Sequence, residues 1–152
     1  MNAILIRAAA LKDAGVLARI HAECFDQAWD EAAFSRFLRD ATTFALLAGV
    51  AKEWCAFILV RVAADECEIL SLGTRPISRR EGLAYALVNA GAAEAFRLGA
   101  RRLFLEVAAD NRAAISLYDK AGFAPSGLRP GYYVRPATQA ADAVILSRAL
   151  PL

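Results

Sequence analysis

Between Ile69 and Tyr85 the chain reads I-L-S-L-G-T-R-P-I-S-R-R-E-G-L-A-Y. The apolar run Ile69–Thr74 has strand character, and Arg75–Ser78 is a turn marked by Pro76. A helical pattern starts directly after Arg79, Arg80 and Gly82. A strand feeding a glycine-bearing loop that opens a helix gathers free backbone N–H groups, two guanidinium groups and the positive helix end at one point. Such a point suits the phosphates of a ligand. It also requires strand and helix to pack together as one α/β layer.

The rest of the composition narrows the partners. With 152 residues, 58% of them hydrophobic and 22% charged, residues 1–152 read as one folded domain with its own core. Apolar stretches are short or broken by charge, so none is expected to span a bilayer. Arg7 interrupts the run Ala3–Leu11, and Lys12 and Asp13 follow, which reads as a first strand and not as a signal peptide. A net charge of +2 is too weak to argue for nucleic acid. The basic residues cluster locally, at Arg75, Arg79 and Arg80 and again at Arg97, Arg101 and Arg102, which suits a small polyanion. Cys24, Cys55 and Cys67 show no C-x-x-C spacing and read as buried, reduced thiols of a cytoplasmic protein. His21 is the single histidine, so no metal site is expected; one step from Ile20, it can reach either a cleft or the core rim, and it reads as structural or incidental.

Taken in order, Ala3–Ala8 is a strand near an edge, and Lys12–Phe25 is a helix with Val16, Leu17, Ile20 and Cys24 at helical spacing. Asp30 can cap a second helix carrying Ala33, Phe34, Phe37 and Leu38. Trp29, just before that cap, is either a core plug or the wall of a substrate pocket. Phe44–Val50, Trp54–Ala63 and Glu66–Thr74 form a three-stranded meander. Gly73 within its third strand signals a bulge or the close approach of a ligand. The helix from Gly82 to Gly99 carries enough small residues to lie close on a sheet. Leu103–Ala108 is a buried strand, Asp110 and Asn111 cap a short helix that runs to Gly122, and Leu128–Tyr133 and Ala143–Ala149 close the sheet. The strand–helix–strand crossover from Ile69 to Val107 makes one pair parallel in an otherwise antiparallel, mixed sheet.

R-x-x-G-x-A (Arg79, Gly82, Ala84), after a strand and opening a helix, resembles the acyl-CoA pyrophosphate loop of the GCN5-related N-acetyltransferases. The block Leu105–Phe123, L-E-V-A-A-D-N-R-A-A-I-S-L-Y-D-K-A-G-F, resembles the distal half of the same family. Adding I-L-S-L-G-T, R-P-G-Y-Y and D-A-V-I-L, the order is similar to the RimI-type protein N-terminal-alanine acetyltransferases. That subfamily usually has proline before the tryptophan, where this chain has Ala28, and a slightly larger residue at Gly73. The resemblance implies an α/β (α+β) fold with a mixed, mostly antiparallel sheet of six to seven strands, helices on both faces and a splayed cofactor cleft. It also implies acetyl-CoA as co-substrate, with no metal, and the N-terminal alanine amine of a ribosomal protein as acceptor.

By the same resemblance, Arg79, Arg80, Glu81, Gly82, Leu83, Ala84 and Tyr85 form the pyrophosphate cradle. Leu72, Gly73 and Thr74 form the bulged strand that pairs with the pantetheine arm and polarises the acetyl carbonyl. Asn111 contacts the cofactor, a role compatible with capping its helix. Glu106, a carboxylate between Leu105 and Val107, becomes the general base acting through water, its bland reading being an outward-facing strand residue. Tyr118 becomes the general acid for the CoA sulfur, against a plain core aromatic. Trp29, Arg129, Tyr132 and Tyr133 become walls of the peptide cleft, with simple packing as the alternative.

Proton energetics suit this acceptor. An α-amine with pKa near ~7.8 is partly neutral at pH 7, whereas a lysine near ~10.4 costs about 3.5 kcal/mol more to deprotonate. Two other readings stay open: acetylation of a small-molecule amine on the same fold, and a non-catalytic acyl-CoA-binding module. Retention of both Glu106 and Tyr118 speaks against the last.

Overall fold

The computed structural model describes residues 3–135 and 138–151, with side chains for all of these except residues 128–141. Strands β1 (Leu5–Ala8), β2 (Thr43–Val50), β3 (Glu53–Ala63), β4 (Glu66–Thr74), β5 (Arg102–Ala108), β6 (Ala124–Arg135) and β7 (Thr138–Ala149) form one sheet. Its order is β1-β2-β3-β4-β5-β7-β6, with every pair antiparallel except β4–β5. The helices are α1 (Ala14–Cys24), α2 (Glu31–Arg39), α3 (Leu83–Arg97) and α4 (Arg112–Lys120). This is the mixed, mostly antiparallel α/β sheet, covered on both faces, that the sequence implies.

The central strands read as unbroken apolar runs because both of their faces are buried. Alternate residues of β2 and β3 serve opposite cores. Phe57, Leu59 and Leu47 pack with Leu17, Ile20 and Phe34 of α1 and α2. Ile58, Val60 and Leu46 pack with Leu83, Leu87 and Val88 of α3, and Tyr118, Ala121 and Phe123 around α4 join that second core. The small residues of α3 have a steric reason. A Cβ on Gly91 would already sit 3.2 Å from Ile58 Cδ1, so a larger side chain there would lift the helix off β3.

Local signals place the helix ends. The Asp30 carboxylate accepts from the Ala33 N–H at 2.8 Å, and Arg36 and Arg39 fall in the last turn of α2, as the helix dipole favours. Asn111 caps α4 through the Ala114 N–H at 3.2 Å. Upstream, the Arg7 guanidinium forks onto both Asp13 carboxylate oxygens at 2.9 Å and lies over the Trp54 ring. That links β1, β3 and the entry to α1.

The sheet divides between β4 and β5. They share three residue pairs, Glu66–Arg102, Cys67–Leu103 and Glu68–Phe104. Just past the last pair, β4 carries one extra residue. Leu59 faces Ser71 and Val60 faces Ile69, leaving Leu70 without a partner. A bulge bends its strand and sharpens its twist. From here β4 follows β3, while β5 follows β7 along all seven of its residues, and the two half-sheets part.

Candidate active site

The parting opens a cleft of about 480 Å³. Ile69, Leu70, Ser71 and Leu72 line it from β4, and Leu105, Glu106, Val107 and Ala108 from β5. Asn111 and Tyr118 reach it from the α4 side, and His21, Phe25 and Trp29 from the end of α1 and the connection to α2.

The β4 wall offers backbone groups. Arg75 N–H donates to Cys55 O at 2.8 Å, which fixes the alternation of the antiparallel ladder. Gly73 and Ser71 then bond toward β3, while Leu72 and Thr74 turn their N–H and C=O groups to the open edge. The Thr74 carbonyl is already used, accepting from Cys24 Sγ and Arg79 Nε, each at 3.3 Å. The Leu72 N–H and C=O and the Thr74 N–H are left as the polar groups of that edge. Gly73 is not the bulge the sequence suggests. Leu70 is, and Gly73 is paired with Phe57. Gly73 is glycine because a Cβ there would lie 3.0 Å from both Cys24 Sγ and the Phe57 ring.

The loop beyond β4 presents backbone donors with no partner in the helix they open. Arg80 and Gly82 both have left-handed backbone, φ +65° and +81°. Gly82 is the residue before α3, no side chain caps that helix, and the first helical bond runs from Ala86 N–H to Gly82 O. The N–H groups of Leu83, Ala84 and Tyr85 therefore have no acceptor within the helix. Nothing lies within 4 Å of the position a Gly82 Cβ would take. Arg79, Arg80 and Glu81 are exposed around this space. Leu83 turns its side chain into the core at 1% exposure and can offer a ligand only its backbone. Tyr85 is half-buried, with Lys120 Nζ 4.7 Å from its ring centre, so α4 braces the loop.

Glu106 and Tyr118 approach the cleft from opposite faces. Along β5, Leu103, Leu105 and Val107 belong to the core under α3 and α4, so Phe104 and Glu106 point to the face covered by α1 and α2. Tyr118 stands on α4, its ring buried and edge-on to Phe123 at 5.5 Å. A carboxylate and a phenol, both kinds of group that can move protons, thus reach the cleft from opposite faces. Trp29 lines the cleft while packing on the core under α1 and α2, and Asn111 lines it while its Oδ1 caps α4. The side chains of Arg129, Tyr132 and Tyr133 lie outside the described residues. Their backbone belongs to β6, beside β7. His21 borders the cleft, one of the two places, cleft or core rim, that its position beside Ile20 leaves open. Among the described residues no cluster of three or more His, Cys, Asp or Glu is placed to hold a metal, and no helix is long and apolar enough to cross a membrane.

A sheet that splits after a bulged strand, with a glycine turn and an uncapped helix at the head of the split, defines the acetyltransferase fold. The sequence profile of the acetyltransferase (GNAT) family matches residues 15–123, and the chain belongs to that family. The ribosomal protein bS18-alanine N-acetyltransferase of Escherichia coli is 38% identical over 98 residues, spanning 64% of this chain and 64% of that relative's length. The crystal structure of the ribosomal-protein-S18-alanine N-acetyltransferase from Escherichia coli superposes with a TM-score of 0.90 at 25% identity, covering 99% of this chain and 96% of that one. Arabidopsis thaliana NAA60 in complex with acetyl-CoA shares the fold, with a TM-score of 0.85 at 20% identity over 97% of this chain and 99% of the other.

Proposed function

We propose that this chain is an acetyl-CoA-dependent N-acetyltransferase that acts in the cytoplasm on the N-terminal α-amine of a protein, with alanine first and a ribosomal protein as the substrate. The observation that carries the reading is the split itself. Glu106 stands on the β5 wall of the gap, and β4, which forms the other wall, leads into the anion-ready turn that opens α3.

Acetyl-CoA supplies an activated acetyl thioester. The N–H groups of Leu83, Ala84 and Tyr85, with Arg79 and Arg80, hold its pyrophosphate. The Leu72 backbone on the open β4 edge orients the acyl arm, with Gly73 and Thr74 keeping that edge in register, and Asn111 contacts it from the other wall. Glu106 takes a proton from the incoming amine, through water, on the α1 face. Tyr118 delivers a proton to the departing sulfur on the α4 face. Trp29 walls the acceptor side, and we assign Arg129, Tyr132 and Tyr133 to the same side. The name of the Escherichia coli relative supports the choice of acceptor, as does the low cost of deprotonating an α-amine.

The test is thiol release from acetyl-CoA with peptides that differ in their first residues, for wild type and Glu106→Gln. The account expects turnover on the Ala-starting peptide and a loss of about 10²-fold or more in kcat in the variant, the usual scale for a general base. Turnover confined to small free amines would move the acceptor to that class. Binding of acetyl-CoA with no turnover on any amine would reduce the chain to a binding module.

A further inference from the structure

His21 is more than a structural histidine. Its Nδ1 accepts a hydrogen bond from the Trp29 N–H at 3.0 Å, and its ring stacks on the Trp29 indole with centroids 4.7 Å apart and 14° between planes. Phe25, Phe34 and Phe57 surround the other sides. An imidazole that accepts at Nδ1 is neutral and carries its proton on Nε2. Burial pushes its pKa below the ordinary 6.5, which keeps it in that form at pH 7.

The Nε2–H has no partner among the described residues, yet none of their fully enclosed polar side-chain atoms goes unpartnered. Nε2 therefore belongs to the small part of the ring, 3% of the residue, that is exposed. That part opens on the cleft shared with Glu106. His21 also stands on the Glu106 face of the sheet, opposite the face of the Gly82 turn. A ligand group it meets therefore comes from the acceptor and not from the nucleotide.

We propose that His21 is a substrate-binding residue whose Nε2–H donates to the carbonyl oxygen beside the acceptor's amine, so that the site selects a peptide N-terminus over a bare amine. The inference rests on the acetyl-transfer reading above and adds the group that recognises the acceptor. An N-terminal residue places a carbonyl two bonds from its amine, whereas a lysine side chain or an alkylamine has none there. The donor is rigid, since Nδ1 and both ring faces are occupied, so little ordering opposes the new bond.

The experiment measures kcat/KM for an Ala-starting peptide and for the same peptide with its first amide replaced by an alkene, together with KM for acetyl-CoA. His21→Asn keeps an acceptor in reach of the Trp29 N–H but loses the donor, and His21→Gln keeps an N–H in reach of the cleft. The wild type should prefer the natural peptide by about tenfold, the scale of one hydrogen bond. His21→Asn should lose that preference with acetyl-CoA KM unchanged, and His21→Gln should recover part of it. Equal use of both peptides by the wild type, or full preference in His21→Asn, overturns the assignment and leaves the acetyltransferase reading intact. A wild type that acetylates no peptide overturns both. Should His21→Asn fail to fold, the two peptides are compared in the wild type at a pH above both amine pKa values, where each amine is neutral and only the lost carbonyl distinguishes them; equal use there overturns the assignment.

Discussion

At the scale of single residues, two glycines of one segment serve unlike purposes, and they separate experimentally. Gly82 needs glycine for its backbone, since φ is +81° and the surrounding space is empty. Gly82→Ala should cost about 1 kcal/mol of stability, and the added methyl would stand where the pyrophosphate is proposed to lie. Denaturant unfolding should show the small loss, and calorimetry a clear weakening of acetyl-CoA binding. Gly73 needs glycine for space. Gly73→Ala presses on Cys24 and Phe57 and should cost about 1–3 kcal/mol, with acetyl-CoA affinity, measured on the folded fraction, much less affected. The sequence distinguishes these two only in part. The phosphate motif marks Gly82, because its neighbours along the chain carry the signal. Gly73 owes its identity to Cys24, 49 positions upstream, and to Phe57 on the next strand, and no local pattern records that. His21 is the same case. Its spacing on α1 leaves cleft and core rim both open, and only the fold places it at the cleft.

At the scale of elements, the first strand and first helix depend on one ion pair. Asp13 is buried at 5% exposure, and its forked bond from Arg7 holds its pKa down to about 2, against an ordinary 3.8. A carboxylate with a depressed folded pKa contributes stability above its unfolded pKa and loses it as pH falls through the folded one. The contribution, roughly 2 kcal/mol at neutral pH, should therefore fade between pH 4 and 2. Arg7→Ala should destabilise the protein at pH 7 and flatten that part of the pH profile in urea unfolding. Element boundaries were mostly legible, since Asp30, Pro76, Gly82, Gly99 and Asn111 stand where strands and helices end. The exceptions are β6 and β7, which run longer than their apolar cores at Leu128–Tyr133 and Ala143–Ala149 suggest. Pro125, Gly127 and Pro130 look like breakers in sequence. In the fold, β6 is an edge strand with register shifts along its length, where such residues are tolerated.

At the scale of the whole molecule, function follows from two half-sheets that agree for three residue pairs and then part. The crossover from β4 through α3 to β5 was readable, and with it the parallel pair. The place of the split was not, because it depends on where β3 and β7 each hold their neighbours in register. Splitting there puts Tyr118 on the α4 side of the cleft and Glu106 on the α1 face, the division that the proposed reaction uses. The most direct measurement uses a peptide that begins with alanine and also carries an internal lysine. After incubation with acetyl-CoA and catalytic protein, tandem mass spectrometry locates the added acetyl group. The account predicts one acetyl group, on the N-terminal nitrogen. Acetylation of the lysine, or none at a rate above the uncatalysed reaction, would contradict it.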